Sequence, residues 1–184
     1  MTDLGFPLTG STLLTGPSNV GKTRLTAAAL DAWLDREGTD GVVVLDFAPE
    51  LERDGAVLGG HLDRFTEIPN EVWVGRMDAR APRAESDTPE RARELARENW
   101  RRARTLLSAV PDAPRAVFVN DVTIPFQHGR ASPDDLLEYC DAAACCVCNA
   151  FDSDELGVDD PVSRAERDAV ARVRAWADRT VELS

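Results

Sequence analysis

Gly16-Pro17-Ser18-Asn19-Val20-Gly21-Lys22-Thr23 follows the spacing G-x-x-x-x-G-K-[ST], which suits the holding of phosphate groups. The glycines let the backbone wrap tightly. The N–H groups from Ser18 through Asn19, Val20 and Gly21 to Lys22 and Thr23 then turn inward toward phosphate oxygens. A helix opening at Lys22 adds the partial positive charge of its N-terminus. Lys22 reaches the β- and γ-phosphates as a point charge, and the Thr23 hydroxyl ligates Mg²⁺. Lys22 is the only lysine in a chain with twenty arginines. A planar guanidinium is too large for that cavity, so the general replacement of lysine by arginine stops there. Arg24 comes next, where a second small hydroxyl often meets the α-phosphate; its length also allows it to snorkel outward or form a salt bridge.

A random chain of this length and average composition matches the spacing about once in 150 cases, so position matters as well as pattern. Here the motif follows an apolar run and opens an amphipathic one, as a strand–loop–helix mechanism requires. On these residues the chain resembles the P-loop NTPase superfamily. The resemblance implies a three-layer α/β fold and a nucleoside triphosphate, ATP or GTP, bound with Mg²⁺ at the C-terminal edge of the sheet. It also implies an acidic residue near the metal at the end of a neighbouring apolar strand.

Two aspartates compete for that place. Val42-Val43-Val44-Leu45-Asp46 has four apolar residues followed by the acid, and Asp46-Phe47-Ala48-Pro49 resembles P-loop families whose second strand ends in an acid and x-x-P. Ala116-Val117-Phe118-Val119-Asn120-Asp121 has Asn where the acid is expected and Asp121 one place later. Asp46 is expected slightly ahead for direct or water-mediated contact with Mg²⁺. Asp121 suits the base that polarises an attacking water, with Asn120 a weakened metal contact; either aspartate could instead cap the next turn. Together with Lys22 they form the candidate catalytic set.

GTPases place N-K-x-D after a late strand, with the Asp reading guanine. Asn149-Ala150-Phe151-Asp152 has the Asn and the Asp without the Lys, so Asn149 and Asp152 are candidate base contacts. Among residues in or near loops after strands, His61, Arg64, Arg76, Arg80, Arg83 and Arg130 could meet an anionic second substrate. His128-Gly129-Arg130 is the most site-like of these stretches.

The elements that position these residues alternate. "STLLTG" reads as a strand and "KTRLTAAALDAWLDREG" as a helix closed by Gly38. "GVVVLDF", "RAVFVND" and "ACCVCNA" read as strands buried on both faces, with "VWVGRM" weaker and "TVEL" short. A long helix starts at Thr88-Pro89-Glu90, a short one is capped by Ser132-Pro133-Asp134-Asp135, and "PVSRAERDAVARVRAWADR" forms the last. The expected fold is one P-loop domain over 1–184, with a mainly parallel sheet of five or six strands flanked by helices. Residues 49–70 and 78–87 carry no assignment and follow strand ends, where ligand-binding loops of such folds lie.

The net charge of −12 is spread along the chain, a surface that repels nucleic-acid phosphates and anionic membranes. Its acid excess resembles proteins of salt-loving archaea, while a GC-rich genome accounts for the arginine bias by itself. No apolar run reaches the roughly 20 residues of a membrane span, and the start lacks a secretory pattern, so the expected location is cytoplasmic. Cys140, Cys145, Cys146 and Cys148 read as core residues of a buried strand and its approach rather than as metal ligands, because adjacent strand residues face opposite ways.

Three functions fit: a small ATPase or GTPase acting with a protein partner, an ATP-dependent transferase with a small-molecule acceptor, or a nucleotide sensor with little turnover. The order of elements also resembles ATP:corrinoid adenosyltransferases, through Trp100 in its helix, Phe126 to Gly129, and a closing Ala177-Asp178 to Glu182. That resemblance is partial, since the loop has fewer Gly and Lys and the strand ends Asn120-Asp121 instead of Asp-Glu.

Overall fold

Runs of consecutive apolar residues become the centre of a parallel sheet. The computed structural model describes residues 3–53 and 56–184, and their side chains except at 52, 53 and 56–58. In chain order the elements are β1 (Gly10–Gly16), α1 (Lys22–Glu37), β2 (Val42–Asp46), β3 (Glu50–Arg53), β4 (Ala56–Gly59) and β5 (Trp73–Arg76). Then follow α2 (Pro89–Leu107), β6 (Ala116–Asn120), α3 (Asp134–Asp141), β7 (Cys145–Phe151), α4 (Pro161–Trp176) and β8 (Arg179–Glu182). Single 3-10 turns lie at Leu62–Arg64 and Ile124–Phe126.

Six strands form one sheet in the order β5-β2-β6-β7-β1-β8, and every pairing is parallel. The expected α/β layout is therefore present, with six strands. β2 and β6 are buried along their whole length, as an interior parallel strand with helices on both faces must be. Alternate residues serve the two faces. Leu14, Val44, Phe118 and Val147 pack with Ala27, Leu30 and Trp33 of α1, whereas Leu13, Val43, Val119 and Cys148 pack with residues of α2, α3 and α4. Cys145 and Cys146 fall in opposite clusters, and all four cysteines are buried thiols, so they pack as small hydrophobes.

The helix boundaries have local causes. Thr88 caps α2 by accepting from Arg91 N at 3.2 Å, with Pro89 in the first turn. Asp160 caps α4 through Ser163 N at 2.9 Å, again before a proline. Gly38 ends α1 at φ 79, its N–H bonding Leu34 O at 3.0 Å.

Part of the unassigned segment 49–70 is an antiparallel pair, β3 with β4, in which Arg53 faces Ala56. The Asp54-Gly55 dipeptide between them is a hairpin signal in sequence, and its conformation lies outside the described residues. Segment 78–87 is a loop laced to α2: Asn99 is fully buried, accepts from Arg80 N at 2.8 Å and donates to Arg80 O at 2.9 Å. Among the described residues no helix is long and apolar enough to cross a membrane.

Candidate functional site

Because all six strands run the same way, the residues that end β1, β2 and β6 share one edge of the sheet. Gly16, Asp46 and Asn120 stand at those ends, and Asn149 lies two residues before the end of β7, beside Asn120. The backbone from Gly16 to Lys22 turns there with help from left-handed residues, Asn19 at φ 62 and Gly21 at φ 96. Gly21 begins α1 with no side-chain cap, which leaves the first N–H groups of the helix pointing into the loop.

Lys22 folds back across this loop. Its Nζ donates to Gly16 O at 2.9 Å and to Pro17 O, and the residue is only 8% exposed. Among the described residues no carboxylate lies within ion-pair distance of it. Burial lowers its pKa, against the opposing pull of Asp121, Glu155 and Glu166. The Thr23 hydroxyl, half-buried beside it, makes no hydrogen bond among the described residues. Arg24 is exposed and lies over the Phe65 ring, 5.5 Å from its centroid, the outward course its length allows.

The two aspartates differ in a way the strands' sequences do not show. Asp46 is fully buried, and both its oxygens are occupied. Asn120 Nδ2 donates to Oδ1 at 2.8 Å, Leu62 N donates to Oδ2 at 2.8 Å, and His61 Nδ1 stands 3.1 Å from Oδ1. That last contact misses hydrogen-bond alignment, leaving His61 Nδ1 without a partner. The Asp46 carboxylate, the expected direct or water-mediated Mg²⁺ contact, thus also clamps β2 to β6 and to the turn at Leu62. Asp121 has a left-handed backbone at φ 54, and its carboxylate accepts no hydrogen bond among the described residues. Burial pushes its pKa up to about 6, with Lys22 pulling it down and Glu166 and Asp46 pushing it further up.

Asn149 has a role that sequence spacing does not reveal. It is fully buried; Nδ2 donates to Thr26 Oγ1 at 2.8 Å and to Asn120 Oδ1 at 3.0 Å, and Oδ1 accepts from Asp121 N at 3.0 Å. Thr26 in turn donates to Lys22 O at 3.0 Å. A continuous polar chain therefore runs from Lys22 through Thr26, Asn149 and Asn120 to Asp46. Asn149 is thus engaged with groups of its own sheet edge. Asp152 is paired with Arg174 at 2.7 Å, so the two residues of the suggested guanine reader point to different partners.

Glu166 of α4 was not singled out by sequence, where a mid-helix acid looks like solvated surface. It is 3% exposed, accepts from Thr123 Oγ1 at 3.1 Å and Gln127 Nε2 at 3.0 Å, and pairs with Arg83. Arg83 also donates to Ser163 Oγ at 3.0 Å and lies over the Phe151 ring. Other loop candidates are engaged elsewhere: Arg76 with Asp63 at 2.5 Å, Arg80 with Glu85 at 2.9 Å, and His128 stacked on Trp100 at 5.5 Å. Asp178 accepts from Ser11 N at 2.8 Å, at the start of β1 and the opposite sheet edge, and Glu182 pairs with Arg174 at 2.8 Å. No protein-family model matches the chain, and no curated protein matches it in sequence.

Proposed function

We propose that this chain is a P-loop protein that binds a nucleoside triphosphate, ATP or GTP, with Mg²⁺, and turns it over slowly until a partner protein or a second substrate completes the site. One observation carries the reading. Among the described residues Lys22 is a buried ammonium with no carboxylate partner, held at the mouth of a loop whose N–H groups begin a helix. A buried charge is costly unless paired, and a bound phosphate supplies the missing negative partner.

The remaining roles follow from which groups are unsatisfied. Among the described residues Thr23 Oγ1 and the Asp121 carboxylate make no hydrogen bond, and they would hold Mg²⁺ together with phosphate oxygens, directly or through water. The ion, when bound, would neutralise charge that builds on the transferred phosphoryl group. Asp121 would otherwise accept a proton from the attacking water, a role suited to a carboxylate whose pKa is raised toward neutrality. Asp46, Asn120 and Asn149 act as positioning residues.

The test is a binding and product assay of ATP and GTP with a panel of acceptors, resolving phosphate, phosphorylated acceptor and triphosphate. Phosphate release dependent on Lys22 supports an NTPase, and labelled acceptor or triphosphate redirects the reading to a transferase. Absence of nucleotide binding in calorimetry at millimolar Mg²⁺ would reject it.

A further inference from the structure

The Gly16–Thr23 loop already holds a negative group of the chain's own. Ser18 N donates to Glu155 Oε1 at 2.7 Å. Glu155 comes from the acidic turn after β7, and that turn is anchored on both sides. Asp152 N donates to Gly16 O at 3.1 Å, while Asp152 and Asp154 pair with Arg174 and Arg167 of α4. Within the turn, Glu155 N donates to Ser153 Oγ at 3.2 Å and Gly157 N to Asp154 O at 3.0 Å. The carboxylate is therefore presented to the loop by a fixed scaffold. Lys22 meanwhile rests on Gly16 O and Pro17 O.

Resting on the nucleotide reading above, we propose that Glu155 is an internal gate: its carboxylate occupies the Ser18 amide in the ligand-free chain and must leave when a nucleoside triphosphate enters. The reason is charge. An anionic ligand cannot share the Ser18 N–H with a carboxylate, and the two repel at that distance. The Ser18 hydrogen bond and the Lys22 charge both hold Glu155 below the usual carboxylate range, so it stays ionised at neutral pH and keeps its claim on the amide. Displacement frees Glu155 on the surface, where a partner's basic group can capture it and favour the loaded state.

Glu155→Gln keeps an oxygen for the Ser18 amide and removes the charge. Calorimetry and stopped-flow binding of ATP, ADP and AMP, run at one ionic strength, compare it with wild type and Lys22→Ala. ATP is expected to bind Glu155→Gln about three- to fivefold tighter through faster association, with a smaller gain for ADP and the least for AMP. Unchanged ATP affinity in Glu155→Gln, with binding lost in Lys22→Ala, overturns the gate and leaves the nucleotide reading standing. Weaker binding or lost turnover in Glu155→Gln also overturns it, making Glu155 a ligand or base instead. Failure of wild type and Glu155→Gln alike to bind any nucleotide overturns both.

Discussion

Asn149 Oδ1 accepts the backbone N–H of Asp121 at 3.0 Å, so a carboxamide within β7 fixes the left-handed residue that follows β6 and aims its carboxylate. The same carboxamide donates to Thr26 and Asn120. Asn149→Ala therefore leaves Asp121 N and Asn120 Oδ1 without their partner, while Thr26 Oγ1 keeps its bond to Lys22 O. Leaving buried partners unsatisfied costs about 1–3 kcal/mol for each group. We expect a loss of roughly 3 kcal/mol in chemical denaturation, because shared networks are not additive. A loss below about 1 kcal/mol would show that water replaces these bonds and that Asn149 does not hold Asp121.

Lys22 separates function from stability. Its lowered pKa means that the folded chain disfavours the protonated form. The resulting penalty is present below the folded pKa and fades as pH rises toward the unfolded value of 10.5. Lys22→Met, which keeps the stem and removes the charge, is expected to raise stability at pH 7 by about 1 kcal/mol while weakening ATP binding about 100-fold or more. Lys22→Arg should lose binding as well, since a guanidinium does not fit beside Gly16 O and Pro17 O. An arginine variant with wild-type affinity would defeat the steric account.

The loop around Lys22 was legible because its geometry depends on eight consecutive residues, and the sheet because β2 and β6 are uninterrupted apolar runs. The polar network was not. Asn120 bonds Asp46 across 74 positions and Asn149 across 29, and no periodicity announces partners that far apart. The partners of Asn149 were not legible because a polar residue late in a buried strand carries the same sequence signal whatever it faces. Asp46 and Asp121 differed little for a similar reason: one ends an apolar run and the other follows such a run by one residue, and only the turn at Leu62 shows which carboxylate is enclosed. Glu166 carried no signal, since its burial is produced by Thr123, Gln127 and Arg83 arriving from two other segments.

The raised pKa of Asp121 has a definite sign. The folded chain favours its protonated form, so ionising it costs stability as pH climbs from the unfolded value of 3.8 through about 6, and the penalty persists above that. Asp121→Asn removes the ionisation. At pH 8 the variant is expected to be more stable than wild type by roughly 2 kcal/mol, a figure discounted for the partial exposure of the site. At pH 4 the two should differ little. Unfolding curves at both pH values measure this, and an equal offset at both would mean that the charge on Asp121 is not what burial penalises.

Asp46 is tied into the fold by hydrogen bonds. Its two carboxylate oxygens accept from Asn120 Nδ2 and Leu62 N in a fully buried site. Asp46→Asn puts an amide N–H₂ against one of those donors, and Asp46→Ala removes the acceptor of both, orphaning Leu62 N while Asn120 Nδ2 keeps Gly60 O. Losses of about 2–4 kcal/mol are expected, with alanine at least as damaging. Turnover should fall in both Asp46→Asn and Asp121→Asn, for different reasons. In the first it follows lost order at the sheet edge, with Mg²⁺ dependence shifted little per folded molecule; in the second the Mg²⁺ concentration for half-maximal rate should rise several-fold. Mg²⁺ titrations of the two purified variants, corrected for folded fraction, separate these outcomes. A larger Mg²⁺ shift in Asp46→Asn than in Asp121→Asn would assign the metal contact to Asp46.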